Sequence, residues 1–336
     1  MGFIDSIKAQ AKACKKTIVL PETDDIRTLE AAVKILDEDF ANLVLLGKQD
    51  VILSKAKSEL SHLNTDILQR ATFLSLEDKA LLEELTALVV KLRAHKGMDS
   101  AQAKELLLKD CLYFGAALVK SEKADGMVAG ATHATSAVLR AALQIVGTAK
   151  DSKLVSSFFI MVVPHSPYGL NGTFVFSDCG LCQNPSAQEL AHIAVSSAKS
   201  FESITQNEPI VAMLSHSTYG SASHPDVDKV IQATQIAKNL APAFKIDGEL
   251  QLDAAIIPSV GQSKAKGSNV AGKANVLIFP DLDAGNIGYK LVQRLANAEA
   301  YGPITQGMSA PINDLSRGCS ADDIVGVVAL SALQAK

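Results

Sequence analysis

Residues 301–323, YGPITQGMSAPINDLSRGCSADD, put a serine hydroxyl, a guanidinium and several carboxylates into one short segment. Ser316-Arg317-Gly318 sets a fork-shaped cation beside a residue with no side chain, so a phosphate or carboxylate would meet little steric resistance at that backbone. Gly302-Pro303 and Ala310-Pro311 mark bends, and Asn313 and Asp314 favour turn chemistry. Ser320 to Asp323 has the form of a capping box ahead of the apolar run 324–330. The local pattern leaves Asp323 open to two readings, a helix cap or a catalytic carboxylate.

Arginine is scarce. Arg27, Arg70, Arg93, Arg140, Arg294 and Arg317 are the only six among 32 basic residues. A chain that meets its surface charge with lysine keeps the planar guanidinium for bidentate grips on phosphate or carboxylate. Arg140 is the best placed on local grounds. It follows the run 126–130 and a Thr-rich turn, where a strand gives way to a helix and backbone donors are expected to face outward.

The composition narrows the chemistry. A length of 336 residues exceeds what a single core usually supports, so two domains are expected. A hydrophobic share of 48%, only 5% aromatic and without Trp, fits aliphatic sheets covered by helices. A net charge of -4 without basic blocks argues against nucleic-acid or membrane-surface binding. No apolar run approaches the ~18 residues of a membrane span, and Phe3, Ile4, Ile7 and Ala11 suit an amphipathic helix on the protein's own core. Five cysteines without a disulfide framework point to a reducing compartment, the cytoplasm. Cys179 and Cys182 form a C-x-x-C, but no second pair at ligand spacing completes a metal site, so no metal is expected.

Familiar cofactor motifs fail. Residues 267–273, GSNVAGK, match a phosphate-binding P-loop until Ala274 replaces the required hydroxyl, and the segment precedes an apolar strand instead of following one. None of the 21 glycines lies two positions from another, so the dinucleotide fingerprint is missing. Neither G-x-S-x-G nor H-E-x-x-H occurs.

The elements that must position these residues alternate along the chain. Apolar runs at 17–20, 43–46, 127–129, 158–163, 173–176, 210–214 and 276–279 read as strands. Helical spacing marks 81–95, 101–120, 136–145, 186–201, 227–240, 285–295 and 321–334. This order predicts an α/β fold with largely parallel sheets and a ligand beyond the strands' carboxyl ends. Composition shifts fall at 149–153 and 299–303. If the last helix returns to the first half, residues 1–150 and 304–336 form a first, discontinuous domain and 151–303 a second.

Taken together, the runs IVLPETDDIRTLEAA from Ile18, ADGMVAGATHAT from Ala124, VLRAALQIVGT from Val138, DGELQLDAA from Asp247, ANVLIFPDLDAGNIGYKLVQRLA from Ala274 and GPITQGMSAPINDLSRGCS from Gly302 resemble the phosphate acetyltransferase family over essentially the whole chain. The resemblance implies reversible conversion of acetyl-CoA plus phosphate into CoA plus acetyl phosphate. It also implies two α/β domains of the isocitrate and isopropylmalate dehydrogenase type with a cleft between them, a homodimer, and no tightly bound cofactor, CoA being a substrate. By motif position, Asp323 corresponds to the general base that deprotonates the CoA thiol, and Ser316 and Arg317 to groups that position the acyl phosphate. Arg93 and Arg140 correspond to residues that hold CoA, and Arg294 to a further cleft arginine.

Reference pKa values near 3.9 for an aspartate and 8.5 for a thiol make such a transfer uphill by roughly 4.6 units, so neighbouring cations must narrow the gap. Two departures stand out. Tyr219 occupies the place of a lysine in the family's usual STKGSA run, and CGLCQNP from Cys179 replaces a more usual DCAVNPNP form. A butyryl-preferring relative and a non-catalytic acetyl-CoA-binding module are the alternatives. The intact Ser316, Arg317 and Asp323 set argues against the second.

Overall fold

The computed structural model describes residues 2–150 and 152–335, and the chain divides into two compact units, Met1–Lys150 with Met308–Lys336 and Asp151–Gly307. In the first unit, α1 (Phe3–Cys14) is the expected amphipathic helix and buries Ile7 and Ala11. Strands β1 (Thr17–Leu20), β2 (Asn42–Leu46), β3 (Thr72–Leu74) and β4 (Gly126–Ala129) alternate with α2 (Ile26–Glu38), α3 (Gln49–Glu59), α4 (Lys79–Arg93), α5 (Ser100–Lys109), α6 (Cys111–Lys120) and α7 (Thr135–Ala141).

The second unit carries β5 (Ser156–Val162), β6 (Thr173–Ser177), α8 (Ala187–Thr205), β7 (Ile210–Leu214), α9 (Pro225–Leu240), β8 (Lys245–Leu250), α10 (Leu252–Ile256), α11 (Pro258–Lys264), β9 (Val276–Ile278), α12 (Leu282–Leu295) and β10 (Glu299–Gln306). The chain then returns to the first unit for β11 (Ile312–Asp314) and α13 (Ala321–Gln334).

The first unit's sheet runs β11-β4-β1-β2-β3, parallel throughout. Alternate strand residues explain its two covered faces. Val19, Met127 and Ile312 join Leu85, Leu112 and Phe114 in a core with α4, α5 and α6, while α13 and α2 pack together and α13 lies against β1 and β4. Because β2 and β3 step outward on one side of β1 and β4 lies on the other, the topology reverses between β1 and β4. In open α/β sheets such a reversal marks the place, beyond the strands' carboxyl ends, where ligands are held.

The second unit's sheet runs β10-β5-β6-β9-β7-β8, and β5 alone opposes its neighbours. Helix α8 starts at a full capping box, Ser186 with Glu189. Helix α12 buries Gly285 and Tyr289 but leaves Ile287, Leu291 and Leu295 exposed at 58%, 52% and 80%.

Several sequence expectations need correction. The helix expected over 101–120 is two, because the Asp110 backbone is extended and its side chain accepts from the Leu112 amide to start α6 afresh. Asn313 and Asp314 are buried strand residues of β11, not turn residues. Gly302-Pro303 interrupts the register inside β10 instead of ending a domain, so the chain leaves the second unit after Gly307. Among the described residues no helix is long and apolar enough to cross a membrane.

Candidate active site

Three loops meet at the carboxyl ends of β1, β4 and β11. From the first comes Glu22, whose side chain is almost fully buried. Its Oε2 accepts from the Gly130 and Ala131 amides at 2.8 Å each, and its Oε1 from the Thr132 and His133 amides at 3.0 Å. Thr132 Oγ1 at 2.8 Å and His133 Nδ1 at 2.7 Å complete the cage. Burial pushes this carboxyl up, but the hydrogen bonds from His133, Thr132 and Ala131 outweigh it and hold Glu22 below the usual range. The backbone donors after β4 were expected to face outward toward an anion. They are instead filled by the protein's own carboxylate.

Arg27, in the first turn of α2, binds the three loops together. Its guanidinium is held by Asp25, at 3.0 Å from Nε and 2.7 Å from Nη2. Nη1 donates to the Arg317 and Cys319 carbonyls at 2.8 Å each, and Nη2 to the Ala131 carbonyl at 2.9 Å. This arginine is a strut, and its anchoring leaves the neighbouring arginine free: the Arg317 side chain is exposed with its carbonyl fixed. Ser316, also exposed, accepts from the Gly318 amide at 3.3 Å and from Cys319 through its carbonyl at 2.9 Å. Cys319 is buried beside them. Burial pushes its thiol up to about 11 despite the opposing Arg27 charge, so it rests as an uncharged thiol.

Asp323 is half-buried and belongs to a complete capping box. Ser320 Oγ accepts from the Asp323 amide at 3.1 Å, and Asp323 Oδ2 accepts from the Ser320 amide at 2.8 Å. One carboxylate oxygen is thus committed to α13. Among the described residues no hydrogen bond engages the other.

Among the described residues, two buried side-chain polar atoms lack any hydrogen-bond partner, Arg93 Nε and Asp314 Oδ1, and both lie in the first unit. Such atoms are rare enough in folded proteins to call for a reason. Arg93 ends α4, and with the exposed Arg140 of α7 it lies close enough to Tyr113 to oppose the upward push that burial and Asp110 give that phenol. Arg93 and Arg140 therefore share one neighbourhood. Asp314 ends β11 beside Ala129, and Oδ2 accepts from Thr135 Oγ1 at 2.5 Å. Gly130 makes this fit possible. Its φ of +112° is open to glycine, and a Cβ there would strike Asp314 Oδ1 and the Leu315 backbone.

The family described as phosphate acetyl/butaryl transferase matches residues 2–332. The chain belongs to that family. A phosphate acetyltransferase of Acetivibrio thermocellus is 55% identical over 337 residues, covering 100% of this chain and 99% of its own. The solved EutD phosphotransacetylase of Staphylococcus aureus is 39% identical at a TM-score of 0.89, with 99% of this chain and 98% of that one covered. A putative 4-hydroxythreonine-4-phosphate dehydrogenase of Salmonella typhimurium, 12% identical at a TM-score of 0.51 over 96% of this chain and 99% of its own, shares the fold alone.

As a member of this transferase family the chain is an enzyme, and the first unit holds Arg93, Arg140, Ser316, Arg317 and Asp323. Arg294 stands in the second unit, exposed in the last turn of α12. Tyr219, which stands where the resemblance leads one to expect a lysine, lies in that unit too. Tyr219 donates to Asp247 Oδ2 at 2.5 Å, and Lys238 to Oδ1 at 2.7 Å, so the tyrosine hydroxyl is already engaged. Burial raises Asp247, but Lys238, Ser268 and Tyr219 together hold it below its ordinary value.

Ser268 also accepts from the Val270 and Ala271 amides, which uses donors of the P-loop-like run 267–273 within the protein. All five cysteines are free thiols. Among the described residues no group of three His, Cys, Asp or Glu could hold a metal ion. Sequence reasoning missed Glu22, Arg27 and Asp314 as parts of this site. Glu22 and Arg27 both lie in the run IVLPETDDIRTLEAA, but nothing in spacing says that one fills the nest after β4 and the other reaches Cys319.

Proposed function

We propose that this enzyme transfers an acetyl group between CoA and inorganic phosphate. The single observation that carries the acetyl assignment is 55% identity along the whole chain to a phosphate acetyltransferase. In the CoA-to-acetyl-CoA direction, Asp323 takes the thiol proton through the oxygen not used by the cap. The thiolate attacks the acetyl carbonyl carbon, the carbonyl re-forms, the C–O bond to phosphate breaks, and phosphate leaves. Exposed Arg317 and Ser316 neutralise and orient the acyl phosphate as charge develops on its oxygens. Arg93 and Arg140 hold the CoA phosphates, and Arg93 Nε supplies a donor that no protein group uses. Arg294 is a further cation for the same substrates.

A thiolate is a strong nucleophile, so direct transfer needs no covalent enzyme intermediate. The reaction is placed in the cytoplasm, on small-molecule substrates, with no cofactor beyond CoA itself. The enzyme assembles as a homodimer, with the apolar stripe Ile287, Leu291 and Leu295 of α12 as the face it covers. Thioester formation from CoA with acetyl, propionyl and butyryl phosphates tests the assignment. Acetyl phosphate is expected to give the highest kcat/KM, by at least about thirtyfold over butyryl phosphate, since each of the two extra methylenes is worth about 1 to 3 kcal/mol. Butyryl preference would reassign the substrate, and thioester formation from none would remove the activity.

A further inference from the structure

We propose that Asp314 is a positioning residue for acyl transfer, whose carboxyl clamps the first turn of α7, carrying Arg140, to the end of β11, from which the Ser316-Arg317 turn departs. The inference rests on the transfer reaction proposed above. Asp314 is 1% exposed and is the last residue of β11, paired with Ala129. Its Oδ2 takes the Thr135 hydroxyl at 2.5 Å, and Thr135 is the first residue of α7. Five residues on, Arg140 leaves the same helix; two residues past Asp314 stands Ser316. One side chain therefore couples the segment assigned to CoA with the segment assigned to the acyl phosphate.

Oδ1 has no partner and lies where only glycine fits opposite it, so the carboxyl is held tightly on one side and unsolvated on the other. Such a group resists carrying charge. Glu22 at the end of β1 faces it as a second carboxylate, and beyond Glu22 stand the His133 ring and the Arg27 guanidinium. Burial is the main cause that raises Asp314, to about 7, with the Thr135 hydrogen bond and the adjacent Leu315 amide opposing and Glu22 adding to the rise. Near that value the clamp passes from a neutral to a charged form, and the charged form places a negative charge beside Glu22 between the two segments.

The test is steady-state acetyl-CoA formation from CoA and acetyl phosphate between pH 5.5 and 9 for wild type, Asp314→Asn, Thr135→Val, Thr135→Ser and His133→Asn. Wild type is expected to show an inflection near 7 in kcat/KM for CoA. Asp314→Asn should lose it, and His133→Asn should keep it. Thr135→Val should lower kcat/KM for CoA by about fivefold to tenfold with the fold intact, and Thr135→Ser should restore it.

If Asp314→Asn retains the wild-type pH profile, or if Thr135→Val is as active as wild type, the role of Asp314 is overturned while the transfer reaction stands. An inactive wild-type enzyme would overturn both. Because Thr135→Val leaves Asp314 in place, a misfolded Asp314→Asn protein does not shield the proposal.

Discussion

Arg27 and Arg317 show how alike residues divide the work of a site. Arg27 spends its donors on Asp25 and on the Ala131, Arg317 and Cys319 carbonyls, whereas the Arg317 side chain is exposed. Arg27→Ala should therefore cost stability, about 2 kcal/mol from lost charge-assisted hydrogen bonds. Arg317→Ala should change stability by less than about 0.5 kcal/mol and act on turnover alone. Urea unfolding of the two variants checks this, and equal midpoints would contradict the division.

Asp314 gives a pH-dependent counterpart. Its carboxyl is raised from 3.8 to about 7 in the folded state, so the native protein binds the proton that the unfolded chain has released. Its stabilising contribution is complete below 3.8 and is lost as pH rises to about 7, a swing of at most about 4 kcal/mol. The Tm of Asp314→Asn relative to wild type should climb between pH 4 and 7 and level off above. A pH-independent difference would show that Asp314 is ionised throughout.

At the scale of elements, caps decide where helices begin. Asp110 closes α5 and opens α6, and Asp110→Ala should cost about 1 kcal/mol by thermal or urea unfolding, because the Leu112 amide loses its acceptor. Period and capping made most elements legible: the 321–334 helix with its Ser320 box, the 186 start of α8, and the buried apolar strands β1, β2 and β7. What escaped is set by partners distant in sequence. Asp314 reads as a turn residue until β4 is beside it, and the donors after Gly130 read as free until Glu22, 108 residues away, fills them. Tyr219 looks like a lost cation. Only packing reveals that its hydroxyl serves Asp247, which Lys238 already neutralises.

For the whole molecule, an exposed apolar stripe on a surface helix calls for a partner. Ile287, Leu291 and Leu295 recur every four residues along α12 and remain open at 58%, 52% and 80%. Leu291→Glu should leave the protomer folded and convert a dimer to a monomer in sedimentation velocity; an unchanged dimer would place the interface elsewhere.

The central claim, that Asp323 draws the proton from the CoA thiol, faces its most direct test in Asp323→Asn. The amide oxygen can still accept from the Ser320 amide, so the α13 cap survives the substitution. The kcat of that variant for acetyl-CoA formation is expected to fall by about 10² to 10⁴, with the Kd for CoA changed less than about threefold. Near-normal turnover in that variant would contradict it.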